Sequence, residues 1–397
     1  MINNNGSHAD RPTTVSGLKL FLSFLRLGLV SFGGPAMVAY IGDLAVKKKN
    51  WISEETFEDG VGLCQSLPGA TAMQTAAYVG LRAGGRVGSL ASFAGFGLPA
   101  FVLMIVFSVL YQQATQMPMA ISAFKGLNVI VVALVANATV GFGKSSLKTW
   151  RDVLLAIATG ALIVFAVSPV RVIVCAALAG ILLYRNALRI DRHGSADKDT
   201  KLWRSVRFAI VSIGIITGGL ALCVLVRRDL FELTRLMIKV DLFAFGGGFA
   251  SVPLMFHEVV HVRHWMDPQA FMDGIALGQI TPGPIVITAT FVGYQVAGLP
   301  GAIAATIGIF SPSFIMVNLA VPYFDRLQRS VVFKRALRGV LVCFVGLLLA
   351  VTIRMGLAVS WSFLSLAIAA AAFAALRLGV DILWVALAGV VVSCLLL

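Results

Sequence analysis

The sequence predicts an all-α, polytopic helical membrane protein built from two inverted-topology repeats with interrupted helices. Three observations predict it: an apolar composition, a series of long apolar runs, and a second half that restates the first. Hydrophobic residues make up 58% of the 397 residues and charged residues only 13%, whereas soluble domains carry about 25% charged residues. This composition excludes a soluble enzyme, a nucleic-acid-binding domain and a disordered scaffold.

The apolar runs predict helices that enter the membrane. A helix needs about 20 apolar residues to cross the hydrocarbon core, and the runs lack the alternation of a β-barrel. We find thirteen of them, near 17–46, 55–82, 86–113, 119–143, 150–167, 170–187, 203–226, 229–262, 268–296, 299–322, 331–357, 360–376 and 378–397.

Polar segments divide the chain into four parts. We expect a disordered cytoplasmic tail over 1–16, a first repeat over 17–187, a basic linker with a connecting transmembrane helix over 188–228, and a second repeat over 229–397. Cytoplasmic loops collect Lys and Arg, so the linker and the N-terminus are predicted to face the cytoplasm of a bacterial inner membrane. Lys47, Lys48 and Lys49 would be external if the first two runs crossed fully, so either those runs re-enter or the lysines line an outer vestibule.

The second half repeats the first at an offset of 213 or 214 residues. Phe32-Gly33-Gly34 returns as Phe245-Gly246-Gly247, Trp51 as Trp265, and Pro68-Gly69 as Pro282-Gly283. An odd number of predicted crossings separates the two repeat starts, so the repeats would enter the membrane from opposite sides. Inverted repeats are typical of secondary transporters with a site near the midplane, and dimerised channels also have them.

Each repeat contains two breaks within apolar runs. They are Gly33-Gly34-Pro35 with Gly246-Gly247-Gly248, and Leu67-Pro68-Gly69-Ala70 with Thr281-Pro282-Gly283-Pro284. Proline ends or kinks a helix, and irregular backbone in the membrane is tolerated only inside protein or along a cavity. We therefore expect half-helices near 69–82 and 283–296 whose free N–H groups converge on an anion. The alternative is four packing kinks.

Neutral hydrogen-bond donors surround these breaks. A bound oxyanion can accept hydrogen bonds from them, although threonine in a helix also bonds readily to its own backbone. The donors are Gln65, Thr71, Gln74 and Thr75 in the first repeat and Gln279, Thr281 and Thr288 in the second.

Intramembrane charges are the next candidates. Arg26 and Lys239 each lie seven residues before a glycine break, which is about 10 Å along a helix. Such groups are costly in a membrane and usually functional, unless they snorkel to the headgroups. The acids considered for proton coupling are Asp43, Asp59, Asp241, Glu258 and Asp273, of which Asp59 and Asp273 look more like helix-start or loop residues.

One motif indicates a different function. His257-Glu258-Val259-Val260-His261 matches the zinc-protease signature H-E-x-x-H, which places two imidazoles on one helical face beside a general base. No third ligand from a separate segment is evident, and the first repeat has no histidine at the equivalent positions. A membrane metalloprotease is kept as an alternative.

The paired motifs resemble those of the chromate ion transporter family. Phe-Gly-Gly-Pro (32–35) and Phe-Gly-Gly-Gly (245–248) are each followed by a tryptophan loop and a Pro-Gly segment, and 279–298 is especially similar. The resemblance covers essentially 17–397. It departs at Ala70 and Thr71, where the family often has Pro-Glu.

The resemblance implies a two-domain inner-membrane transporter that exports chromate and confers resistance, with sulfate as a competitor. A passive anion channel is the remaining alternative. We expect no enzyme activity, cofactor or metal, and the partners would be the oxyanion, the bilayer and possibly a second copy. The substrate site would comprise Arg26, Gly33, Gly34, Pro35, Gln65, Pro68, Gly69, Thr71, Gln74, Lys239, Gly246, Gly247, Gly248, Gln279, Thr281, Pro282, Gly283 and Pro284.

Overall fold

The computed structural model describes residues 15–32, 36–114, 117–165, 167–185, 227–323 and 330–396, together with 214, 218 and 219. Our predictions for Gly33, Gly34 and Pro35, for most of the tail and for nearly all of the linker with its connecting helix lie outside these residues. The described part is all-α, with fourteen α-helices and no strand. This confirms the predicted fold class.

Each repeat contributes seven helices. Those of the first repeat are α1 (Gly17–Val30), α2 (Ala36–Gly42), α3 (Glu54–Ser66), α4 (Thr71–Ala114), α5 (Pro118–Ser146), α6 (Trp150–Val164) and α7 (Pro169–Leu183). Their counterparts are α8 (Arg228–Phe243), α9 (Gly248–Phe256), α10 (Pro268–Ile280), α11 (Thr288–Ala320), α12 (Val331–Ala358), α13 (Phe363–Arg377) and α14 (Ile382–Leu396). Helices α2 and α9 continue into π-helical turns, Asp43–Lys48 and His257–Val262, and a 3-10 turn, Ile285–Ile287, precedes α11.

The local signals that begin helices are repeated as well. Ser53 and Asp267 occupy equivalent positions, and each accepts a hydrogen bond from a backbone amide in the first turn of α3 or α10. Thr149 and Ser362 form equivalent capping boxes at the starts of α6 and α13. Such caps satisfy amides that the helix leaves unpaired, so both halves specify the same element boundaries.

The first two helices of each repeat form a re-entrant hairpin. Phe24 on α1 stacks on Trp51 beyond α2, with ring centroids 6.3 Å apart. A helical chain continuing in one direction would separate them by roughly 40 Å, at about 1.5 Å per residue. In the second repeat the paired side chains run antiparallel in the same way, Lys239 with Glu258 and Glu232 with Arg263.

The third helix and the start of the fourth form a second hairpin. The Tyr78 hydroxyl of α4 donates to the Thr56 carbonyl oxygen of α3 at 3.0 Å, and Gly274 of α10 lies against Phe291 of α11. The hairpin tips are the segments 67–70 and 281–287. Each of the runs 17–46, 55–82, 229–262 and 268–296 therefore folds back on itself as a hairpin and does not form one continuous helix.

Helices α4 and α11 turn once more before they cross the membrane. Gly85 and Gly298 have φ values of 65° and 63° within these helices. After each turn the chain folds back closely, and the Ser92 hydroxyl donates to the Ala76 carbonyl oxygen at 2.7 Å. Helices α4, α5, α11 and α12 are long and apolar enough to cross a membrane.

Equivalent helices of the two repeats cross antiparallel to each other. Thr139 of α5 and Thr352 of α12, which are equivalent positions, lie 3.3 Å apart through their hydroxyls. On one side of this contact a Cβ added at Gly356 would lie 3.9 Å from Val132, and on the other a Cβ added at Gly143 would lie 3.8 Å from Val345. Because equivalent membrane-crossing helices run in opposite directions, the repeats have inverted topology.

The short C-terminal helices are exchanged between repeats. Helices α6 and α7 pack on α12, and α13 and α14 pack on α5. Glycines make these contacts close, since Gly180 of α7 meets Gly339 of α12 and Gly126 of α5 meets Ser393 of α14. Small residues permit such approach between membrane helices. Each repeat is therefore completed by the other.

A buried ion pair joins α6 to α12. Arg338 lies 2.9 Å from Asp152, which is fully buried at the start of α6. The Tyr184 hydroxyl donates to the same carboxylate, as do the backbone amides of Lys148 and Thr149. The equivalent position of Arg338 in the first repeat is Lys125, and that of Asp152 in the second repeat is Ser365, so the equivalent place in the fold has no carboxylate.

Candidate functional site

The tips of the hairpins meet in the protein interior, and each pairs with a tip of the other repeat. The Gly69 amide donates to the Ala244 carbonyl oxygen at 2.9 Å, and the Gly283 amide donates to the Ser31 carbonyl oxygen at 2.9 Å. Pro68 and Phe245 form an antiparallel bridge beside the first of these bonds. The two bonds join equivalent positions, so the breaks form a two-fold arrangement between the repeats.

Glycine is required at two of these tips. Gly69 has φ of 109° and Gly283 has φ of 127°, in the left-handed region that side chains disfavour. A Cβ at Gly69 would lie 1.9 Å from the Ser313 hydroxyl oxygen, and a Cβ at Gly283 would lie 2.6 Å from the Ala100 methyl group. The sequence singled out both glycines, and the structure gives each a conformational and a steric reason.

The amides of the tips are partly occupied, which corrects the expectation of free N–H groups. Those of Gly69 and Gly283 bond across the repeats, and the Ala70 amide donates to the Ser313 hydroxyl at 3.2 Å. The half-helices begin at Thr71 and, after a 3-10 turn, at Thr288, slightly later than predicted, because the tip backbone is held by these bonds.

Two helix starts nevertheless face each other with open amides. Within the described ranges, no hydrogen bond engages the backbone amides of 71–73 at the start of α4 or of 247–249 at the start of α9. The Thr71 hydroxyl oxygen lies 3.3 Å from the position that a Cβ on Gly247 would take. Open amides at a helix start carry partial positive charge and bind anions. Thr71 and Gly247 therefore mark the best candidate for an anion site.

A buried carboxylate lies behind the first-repeat tip. Asp241 of α8 is fully buried and accepts hydrogen bonds from Ser313, from the amide at 2.8 Å and from the hydroxyl at 2.7 Å. The same hydroxyl accepts the Ala70 amide, so the acid is connected to the tip of the other repeat. The equivalent residues of the first repeat are Gly28 and Ala100. Sequence analysis named Asp241 but missed Ser313.

Most of the predicted neutral donors are used inside the protein. The Gln74 amide nitrogen donates to the Pro68 carbonyl oxygen at 2.6 Å, and the hydroxyls of Thr75, Thr281 and Thr288 donate to carbonyl oxygens of their own turns. These residues hold the tips in shape. Gln65 is exposed on α3.

Gln279 is the exception in the second repeat. Its side-chain nitrogen is buried and has no hydrogen-bond partner among the described residues. The tip that follows it, including Pro282 and Pro284, is entirely buried. At the glycine break of the second repeat, a Cβ added at Gly246 would clash with Phe142, and a Cβ added at Gly248 would clash with Ile285.

The two predicted intramembrane cations have different surroundings. Lys239 lies 2.5 Å from Glu258, whose side chain is 10% exposed and also lies 3.9 Å from Arg263. Arg26 is exposed on α1, and no ion pair involving it occurs in the described part of the chain. The equivalent of Glu258 in the first repeat is Ala45, which explains the difference.

The remaining acids also differ between repeats. Asp43 is paired with Lys47 at 2.8 Å on the surface, and Asp59 is exposed on α3. Asp273 lies inside α10 and is buried, which corrects its prediction as a helix-start or loop residue. The Tyr111 hydroxyl donates to it at 2.8 Å, a partner that the sequence did not indicate.

The H-E-x-x-H motif does not form a recognisable zinc site. His257 and His261 lie on a π-helical turn with ring centroids 6.5 Å apart, and Glu258 is engaged by Lys239. The described residues hold no group of three or more His, Cys, Asp and Glu side chains suited to a metal. The metalloprotease alternative therefore has no support.

Comparison with known proteins identifies relatives of the whole chain. The family model described as Chromate transporter matches residues 18–181 and again 231–394. An uncharacterized transporter of Methanocaldococcus jannaschii is 43% identical, covering 99% of this chain and 98% of the relative. No solved structure matches the chain.

Two further relatives carry a substrate in their names. A chromate transport protein of Pseudomonas aeruginosa is 32% identical over 92% of this chain and 87% of its own length. A chromate transport protein of Cupriavidus metallidurans is 30% identical over 83% of this chain and 80% of its own length.

Proposed function

The chain belongs to the chromate transporter family, a family of membrane transporters rather than enzymes, and we propose from this premise that it exports chromate as a secondary transporter. Chromate is a tetrahedral dianion whose oxygens accept hydrogen bonds, and sulfate has the same shape and charge. Two relatives named as chromate transport proteins support chromate as the substrate. Export from the cytoplasm would confer chromate resistance.

The observation that carries this proposal is the meeting of two open helix starts at Thr71 and Gly247. Backbone amides and a hydroxyl offer several donors without a fixed positive charge. A dianion held in this way is attracted by the helix dipoles and is not trapped by a salt bridge. Gln279 offers a buried amide donor near the equivalent tip. We therefore assign substrate binding to the hairpin tips.

The inverted repeats support alternating access around these tips. Inverted repeats in other secondary transporters rock against each other around a site near the midplane. Here the tips of one repeat bond to those of the other through single hydrogen bonds at Gly69 and Gly283. A movement of either repeat would open one face of the interlocked tips at a time.

The basic loops support a cytoplasmic N-terminus. Because both hairpins of the first repeat return to the side they entered from, Lys47, Lys48 and Lys49 lie on the N-terminal side. Helices α4 and α5 then cross and return, which brings Lys144 and Arg151 to the same side. Lys and Arg collect in cytoplasmic loops. Re-entry thus removes the conflict that full spanning created for the three lysines.

The proposal is tested by uptake of labelled chromate into everted membrane vesicles, with sulfate as competitor and an uncoupler to collapse the proton gradient. We expect uptake that needs the protein, that excess sulfate reduces and that the uncoupler stops. Absence of uptake would contradict chromate export. Uptake that is unchanged in the presence of the uncoupler would indicate a passive channel.

Two matched variants test the site itself. Thr71→Val removes the hydroxyl beside Gly247 at nearly constant volume and is expected to raise the chromate concentration for half-maximal uptake by about tenfold, the equivalent of about 1.4 kcal/mol. Thr352→Val is the control, because that hydroxyl donates to the Leu348 carbonyl oxygen of its own helix at 2.7 Å. Equal effects of the two variants would contradict the assignment.

A further inference from the structure

Asp273 is a buried carboxylate with half of its hydrogen-bonding capacity unused. Asp273 is 6% exposed, and the Tyr111 hydroxyl donates a hydrogen bond to its Oδ2 at 2.8 Å. Oδ1 is buried and has no hydrogen-bond partner among the described residues. An ionised carboxylate in an apolar interior normally has several donors or a cation beside it.

Asn128 of α5 is the other polar side chain that interacts with Asp273. Asn128 is 8% exposed, and its interaction with the carboxylate still leaves Asp273 Oδ1 without a hydrogen-bond donor in the described part of the structure. A buried carboxylate oxygen without a donor is unfavourable. A proton on Oδ1 removes the negative charge from this buried position.

The surrounding charges do not offer another solution. Helix α4 contributes the Tyr111 hydroxyl, and the start of α10 contributes Asp267, whose negative charge opposes ionisation of Asp273. The other described helices packed on α10, namely α5, α11, α12 and α14, bring no cation into contact with the carboxylate. A buried acid without a counter-charge takes up a proton rather than remain ionised.

We propose that Asp273 is a proton-binding site of this transporter, protonated at Oδ1 in the present conformation. The proposal rests on the proposed transport function. When the proton leaves, the O–H bond breaks, its electrons stay on the carboxylate, and the proton passes to water. The charged form then needs solvent, which it reaches only if α10 separates from α4 and α5.

The location links the proton to the movement of the repeats. Asp273 lies on a hairpin of the second repeat, whereas Tyr111 and Asn128 belong to long helices of the first. Any displacement of one repeat against the other changes these contacts. Asp59, the equivalent of Asp273, is exposed, and Leu341, the equivalent of Asn128, is apolar. The equivalent positions therefore form no matching site.

The test uses the full-length protein purified and reconstituted in liposomes, with two measurements. Counterflow of labelled chromate reports binding and reorientation of the substrate, and a pH-sensitive dye in the lumen reports protons moved with chromate. For Asp273→Asn, which imitates the neutral acid, we expect counterflow within about threefold of wild type and at least a tenfold loss of proton movement. Asp59→Asn is the matched control and should change neither.

The outcomes separate this inference from the proposed function. Wild-type protein without chromate counterflow would contradict the function, whereas counterflow without proton movement would overturn only the proton site. Proton movement by Asp273→Asn at the wild-type ratio to chromate would also overturn it.

Two further variants decide the matter if Asp273→Asn does not fold. Tyr111→Phe removes a donor to the carboxylate, and Asn128→Leu, which copies Leu341, removes a second side chain that favours the charged form. Each variant should therefore raise the pH of half-maximal transport. Upward shifts of at least half a pH unit in both variants would support the proton site. An unchanged pH profile in both variants would refute it.

Discussion

The two repeats share a backbone and differ in their buried chemistry. Both have a tip glycine, Gly69 or Gly283, whose amide bonds to the other repeat at 2.9 Å. Behind the first tip lie Asp241 and Ser313, both supplied by the second repeat. The second tip packs instead against Ala100 of the first repeat. The same backbone arrangement is therefore polar around one tip and apolar around the other.

The same contrast holds away from the tips. Asp273 is buried, whereas its counterpart Asp59 is exposed. Lys239 has an acidic partner, whereas its counterpart Arg26 has none within the described residues. The symmetric features, namely glycines, prolines and helix caps, define the scaffold. We propose that the asymmetric features determine where protons and anions interact with it. Each of these features can be tested by exchanging residues between equivalent positions.

The largest expected effect is on the ion pair between α6 and α12. Arg338→Leu leaves the buried Asp152 carboxylate without its cation, and removing one member of a buried pair typically costs about 3–5 kcal/mol. Lys125→Leu at the equivalent position should leave stability unchanged. Thermal unfolding in detergent measures both variants, and equal midpoints would show that the pair does not stabilise the fold.

Alanine at the tip glycines should have the next largest effect. Gly69→Ala is expected to cost about 3 kcal/mol, from a left-handed backbone and from overpacking against Ser313. Gly283→Ala, which meets only a methyl group, should cost about 2 kcal/mol by the same effects. Gly62→Ala is the control, since no atom lies within 4 Å of its added Cβ. Transport should fall in the same order, and an inverted order would contradict the tip geometry.

Exchange of Ser313 and Ala100 tests the polar tip. Ser313→Ala removes a hydroxyl that donates to Asp241 and accepts the Ala70 amide, and a buried polar group left without its partner costs about 1–3 kcal/mol. We expect a loss of about 2 kcal/mol in stability on that basis, with a smaller change for Ala100→Ser. The check is chemical denaturation of both proteins, and a neutral Ser313→Ala would mean that Asp241 needs no such partner.

The smallest stability effect is expected at the two intramembrane cations. Lys239→Ala removes a partly exposed ion pair and should cost about 1 kcal/mol or less, whereas Arg26→Ala should not change stability. If both cations lie on access routes, each variant should nevertheless abolish the reduced chromate accumulation of cells that make the protein. Unchanged chromate accumulation in both variants would remove the charged-route hypothesis.

Sequence patterns predicted the scaffold because they are local or repeated. Glycine and proline at Gly69, Pro68 and their counterparts indicated interrupted helices. The constant offset indicated two repeats, and the odd number of crossings between their starts indicated opposite orientation. Apolar content alone did not distinguish a re-entrant hairpin from a crossing helix, since both bury the same residue types. The sequence therefore left both possibilities open for 17–46 and 55–82.

The buried polar groups were harder to predict because their partners are distant in the chain. Ser313 lies 72 residues from Asp241, and Tyr111 lies 162 residues from Asp273. No spacing rule connects such pairs. Asp59 and Asp273 looked alike in sequence, and only the packing of α10 against α4 and α5 separates them.

The exchange of helices between repeats has a consequence for synthesis. Helix α5 is made early, but the helices that cover it, α13 and α14, extend to Leu396. The N-terminal half therefore stays in the membrane with a small-residue face uncovered until α13 and α14 have been synthesised. We expect nascent chains that stop before α13 to be recognised and degraded by membrane quality control.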